Sequence, residues 1–151
     1  MFIPIAAEEL GILAGDPAVA DRPAYTVTPE LLEELEYTEA EAEDAEYAAL
    51  VLASIAGLSE YGTRLVVVAE VDPALIAASD DPANGRVTLT GCPPSAMTAW
   101  FCEEPGVDVA DAAAIARGLT IDQAWDLPQV QQLLQEHELL WNDVVEYRRG
   151  E

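Results

Sequence analysis

The sequence contains no lysine, one histidine, two cysteines and two methionines, and its six cations, all arginine, face 29 aspartates and glutamates. Each shortage excludes something. Phosphate backbones and anionic lipid surfaces are repelled by a formal net charge of −23, so direct contact with nucleic acid or with a membrane surface is not expected. A single histidine with two cysteines cannot complete a four-ligand zinc site without carboxylates, and nine residues separate Cys92 from Cys102 where zinc knuckles need two to four. Charge-free apolar runs reach roughly half of the ~20 residues a membrane span requires. The amino terminus has neither the basic residues nor the cleavage site of a secretory signal, which predicts a cytoplasmic protein with reduced cysteines. Glycine-rich phosphate loops, Gly-x-Ser-x-Gly and Ser-x-x-Lys are missing, and His137-Glu138-Leu139-Leu140-Trp141 opens like a zinc-protease helix but lacks the second histidine.

What is present is an apolar core. Hydrophobic residues make up 51% of the 151 positions, which excludes wholesale disorder, and a chain of this length can form one domain over 1–151 that buries roughly 70% of its unfolded surface. From Ala48 to Leu58 there is no charged residue, which predicts a helix over Tyr47 to Leu58 buried on most sides. Leu65 to Val71 follows as a β-branched run bounded by Gly62 and Pro73, the pattern of an interior strand. Further strands are expected at Phe2 to Ile5, Ala24 to Val27, Arg86 to Thr90 and Thr98 to Glu103. Helix starts stand at Thr28-Pro29, Thr38 to Glu41, Asp108, Thr120 to Gln123 and Leu127-Pro128. The fold class expected is α/β (α+β), a two-layer sandwich with a mixed sheet of four or five strands and helices packed on it. Val130, Leu133, Leu134, His137, Leu140, Trp141, Val144 and Tyr147 recur at helical spacing, so the last element reads as one helix. A break near His137 followed by a closing strand over Leu139 to Tyr147 also suits the residues.

Ala24 to Pro29, Glu46 to Leu50, Arg64 to Val71 and His137 to Trp141, in that order, resemble an uncharacterised actinobacterial family of short acidic α/β proteins, a domain of unknown function. The resemblance implies a cytoplasmic α/β fold and carries no activity, cofactor or catalytic residue.

Candidate chemistry is sparse. His137 sits on an apolar stripe beside Glu138, where a packed histidine with one hydrogen bond is the simpler reading than a general base. Cys92, ahead of two prolines, is the candidate reactive thiol, while Cys102 alternates with Trp100 as a small core residue. Nine of the seventeen residues from Glu30 to Glu46 are acidic. Glu33, Glu34, Glu36, Glu39 and Glu43 among them form a candidate interaction surface, since charges spread around helix starts are favoured by the helix dipole and do not converge on a cation. No catalytic residue, metal or cofactor is expected. The acidity itself has two readings, solubility with a GC-rich composition or attraction of a basic protein partner. The function expected is a non-enzymatic acidic domain that binds another macromolecule. The alternative is a small-molecule-binding or enzymatic domain with a pocket between sheet and helices.

Overall fold

The longest helix is the apolar segment itself. The computed structural model describes residues 1–14, 21–79 and 84–148, without the side chains of Ala14, Glu39, Pro94 and Arg148; the acidic pair Asp80-Asp81 lies outside them. Helix α2 (Ala42–Tyr61) follows helix α1 (Pro29–Leu35) and carries the buried Ala49, Leu52, Ala53 and Ile55. Thr28 caps α1 by accepting from Leu31 N at 3.0 Å, with Pro29 at the first helical position where no N–H is needed. The Glu41 carboxylate reaches back to Thr38 N at 3.3 Å, one half of the capping box expected there. Gly57 sets how closely α2 lies on the sheet: a Cβ there would stand 2.8 Å from Thr63 O and 3.4 Å from Pro4 Cβ.

Beneath α2 lies one antiparallel sheet of seven described strands, ordered β4-β5-β2-β1-β3-β6-β7. The strands are β1 (Phe2–Pro4), β2 (Arg22–Tyr25), β3 (Val66–Ala69), β4 (Ile76–Ala78), β5 (Arg86–Leu89), β6 (Met97–Cys102) and β7 (Leu140–Asp143). This corrects the mixed sheet of four or five strands. The two extra strands are the edges, which the sequence conceals: β4 is Ile-Ala-Ala with no alternation, and β7 lies inside a stripe at helical spacing. The β3 strand is interior, between β1 and β6. Pro4 leaves a mark on β1, which pairs with β3 at Phe2, Ile3 and Pro4 but with β2 only at Phe2↔Tyr25. On that side the Arg22 guanidinium reaches Pro4 O at 3.5 Å and pairs with Glu9, standing in for the missing ladder bond.

Both faces of the sheet are covered, so the expected two layers become three unequal ones. On the front, Val66 and Phe101 meet α1, α2 and three short helices, α3 (Ala110–Ala116), α4 (Ile121–Trp125) and α5 (Pro128–Glu136). Thr120 and Gln123 form a complete capping box at the start of α4. On the back, Ile3, Ile5, Val67, Leu89 and Met97 meet a 3-10 segment (Ala7–Ala14) and α6 (Val144–Arg148). Trp100 and Cys102 pack on this back core while Phe101 packs on the front one, the alternation read from the sequence.

The single long last helix is a second correction, and the alternative break near His137 is what the structure has, with a strand shorter than Leu139 to Tyr147. It stops at Glu136, turns extended at His137 (φ −135°, ψ 106°), runs as β7 beside β6, and becomes helical again only at Val144. No proline or glycine forces the break. Two long-range interactions stabilise it instead: β7 pairs with β6 from Leu140↔Cys102 to Asp143↔Ala99, and the Arg64 guanidinium donates to His137 O at 3.0 Å. Among the described residues no helix is long and apolar enough to cross a membrane.

Candidate functional site

Arg64 is the most deeply buried cation described, 2% exposed, and it follows the Gly62 turn that ends α2 (φ 75°) and precedes β3. Burial of a guanidinium requires a paired charge and filled hydrogen bonds. Glu103, just beyond β6, supplies the charge by a two-pronged pair to Nε and Nη2, the latter at 2.8 Å, and Nη2 also donates to His137 O. One arginine thus ties the end of α5 to the sheet and holds Glu103 in place. Nη1 has no hydrogen-bond partner among the described residues.

Arg64 forms part of the wall of a cavity of about 200 Å³ between α2, α5 and β6. Leu50, Val51, Phe101, Leu134 and Leu139 make the rest of the wall apolar, and Ser54 joins Arg64 as its second buried polar group. The Ser54 hydroxyl donates to Val51 O at 2.6 Å, which leaves Oγ free to accept. His137, Glu138 and Tyr47 complete the lining, with Glu138 and Tyr47 exposed.

Tyr47 and Val51, one helical turn apart on α2, also line a wider open groove of about 500 Å³ between α1, α2 and α4. Its apolar lining includes Leu31, Leu35, Leu52, Ile121 and Trp125. Tyr47 is 58% exposed and Trp125 43%, large aromatic surfaces in water that share one groove, whereas Trp141, 59% exposed on β7, stands apart from it. Glu34, Asp44 and Asp122 line the same groove, and Asp122 accepts from Asn84 Nδ2 at 3.3 Å.

The residues singled out in the sequence fall in three places. His137 and Glu138 come together at the small cavity, His137 as the cap residue of α5 rather than a member of a continuing stripe. Cys92 is buried in the back core, and burial pushes its thiol pKa up, which opposes thiolate formation. Cys92 and Cys102 are both free, and Cys102 Sγ accepts from Asn142 Nδ2 at 3.4 Å. Glu33, Glu34, Glu36 and Glu43 are exposed, Glu36 as the left-handed cap of α1 (φ 58°), and of these Glu34 lines the groove. The Glu39 side chain lies outside the described structure. Among the described residues no three histidine, cysteine or carboxylate side chains are placed to share a metal ion. The sequence reading passed over Arg64, Ser54 and Trp125. The available signal for Arg64 was scarcity: one of six cations, placed directly before the buried strand.

A helical layer over an antiparallel sheet, with its openings on the helical side, defines an α+β domain, and comparison places it further. DUF6912, a family of unknown function, matches residues 1–149, and the chain belongs to that family. No curated protein and no solved structure matches it.

Proposed function

We propose that this chain is a non-enzymatic interaction domain whose groove between α1, α2 and α4 takes a basic, amphipathic segment of a partner protein. The observation that carries the reading is the conjunction of exposed Tyr47 and Trp125 with the carboxylates Glu34, Asp44 and Asp122 in one open groove. Aromatic anchors of this kind supply most of the binding energy of protein interfaces, while rim charges of one sign set encounter rate and partner choice. A net charge of −23 selects a cationic occupant over an acidic one and over a second copy of the chain. With this reading go the finer expectations of a single domain, a cytoplasmic location, an actinobacterial lineage, no cofactor, and no direct contact with nucleic acid or membrane.

The test is a tagged pull-down from the native host at low and high salt, with metal and small-molecule analysis of the purified protein. A protein partner bound at low salt, weakened by salt, and lost at least tenfold by the Tyr47→Ala, Trp125→Ala double variant supports the reading. Retention unaffected by that variant, no partner at any ionic strength, stoichiometric metal, or an organic ligand seated in the groove itself overturns it.

A further inference from the structure

We propose that the smaller cavity between α2, α5 and β6 is a separate binding site for a small uncharged molecule with an apolar body and an amide-type head. Arg64 as a residue is 2% exposed, and its guanidinium is hydrogen-bonded through Nε and Nη2, yet Nη1 is unpartnered among the described residues. That nitrogen is not sealed away: among the described residues the one side-chain nitrogen or oxygen with neither access nor partner is Trp100 Nε1, on the other face of the sheet. The opening that Arg64 lines is the cavity. In this proposal Nη1 is the Arg64 atom that faces the cavity, and an unpaired donor at an apolar space favours any occupant that brings it an acceptor.

Charge decides the class of that occupant. Glu103 already matches the Arg64 charge, Glu138 lies in the lining, and the chain as a whole is strongly anionic, so a carboxylate or phosphate gains no unmatched cation and meets repulsion. An ammonium carries donors only and offers no acceptor to Nη1. A neutral carbonyl oxygen accepts from Nη1 without either penalty. Ser54 refines the choice, because its hydroxyl proton is committed to Val51 O and its oxygen can take a donor. Carbonyl acceptor and N–H donor on one head describe an amide. The walls of Leu50, Val51, Phe101, Leu134 and Leu139 suit an apolar body, and about 200 Å³ exceeds the ~150 Å³ of an engineered apolar cavity that accommodates benzene.

The test titrates the full chain with benzamide, acetophenone, benzoate and benzylamine while following the guanidinium N–H resonances of Arg64 by NMR. The expected result is a saturable downfield shift with benzamide, several-fold weaker binding of acetophenone, and at least tenfold weaker binding of benzoate and benzylamine. Ser54→Ala should erase the preference for benzamide over acetophenone, and Leu139→Trp, which fills the cavity without touching the groove, should abolish both. No saturable shift at Arg64 with benzamide, benzoate binding as tightly as benzamide, or binding that survives Leu139→Trp overturns the proposal. None of these outcomes depends on the groove, so this site and the protein-binding reading stand or fall apart.

Discussion

Among the described residues each face of the sheet carries one arginine–glutamate pair, and the two differ in depth. On the front, Arg64 and Glu103 are 3% and 15% exposed in their side chains; on the back, Arg22 and Glu9 are 18% and 28% exposed. Both arginines also donate to a backbone carbonyl that secondary structure has left open, His137 O past the end of α5 and Pro4 O beside the broken ladder. The chemistry is the same and the setting is not. Water screens the back pair and can replace either partner, whereas the front pair is committed to its geometry once folded. The lesson is that an acidic chain with six cations uses two of them as splints for interrupted backbone hydrogen bonding, and the deeper one borders a cavity.

The sharpest way to break this comparison is to remove each cation in turn. Arg64→Met leaves Glu103 without its counter-charge and His137 O without its donor, and should cost about 3 to 5 kcal/mol, the range for breaking a buried pair. Arg22→Met should cost no more than about 1 kcal/mol, as for an exposed pair. Urea denaturation of the two variants checks the ordering. Equal losses would show that depth is irrelevant here. The β6–β7 pairing should loosen selectively in Arg64→Met, read as faster amide exchange at Leu140 and Asn142, whose N–H groups face β6.

A second contrast lies between helix propensity and packing in α2. Glycine in a helix interior is less favourable than alanine by about 1 kcal/mol, so propensity alone makes Gly57→Ala stabilising. The structure reverses the sign, because the new Cβ would meet Thr63 O at 2.8 Å, a backbone atom that can move only with the turn after α2. The expected net effect is a destabilisation of about 1 to 3 kcal/mol by thermal or urea melting, as for overpacking elsewhere. A more stable variant would show that α2 can lift from β1 at no cost.

What could be read from the chain follows the range of the interactions. The α2 segment and β3 were legible because an uncharged helical run and a β-branched run each declare burial locally. Thr28, Thr120 and Gln123 were legible as caps because their partners lie within three residues. The β7 break was legible only as the second of two readings, since Arg64 lies 73 residues from His137 and β6 about forty from β7, and local spacing favoured a continuous helix. The cavity was hidden for the same reason: Arg64 and Glu103 are 39 residues apart, and nothing near Ser54 indicates that its neighbours leave space. Tyr47 and Trp125 stood in correctly expected helices, but whether a helical aromatic is covered depends on which other helices reach it. Edge strands escaped because β4 has one bulky residue in three.

The smallest expected effect sharpens the contrast from the exposed side. Hydrogen bonding to the Arg22 guanidinium, opposed by burial and aided by Ala6 N, holds the Glu9 carboxyl below its usual range. Because the folded value lies below the unfolded one, the stabilisation is fully present above the ordinary carboxyl range and is lost as pH falls through that range and then through the lower folded value. The stability difference between wild type and Arg22→Met should therefore shrink as pH drops from about 6 to about 3, by no more than the ~1 kcal/mol an exposed pair provides. The sequence pI of about 4.1 lies inside that window, so urea midpoints are best taken on dilute protein. NMR titration of the Glu9 carboxyl gives the direct reading: its midpoint should move up toward the ordinary value in Arg22→Met. An unchanged midpoint would show that Ala6 N, rather than Arg22, sets the Glu9 ionisation, and the back pair would then be a backbone cap with an arginine beside it.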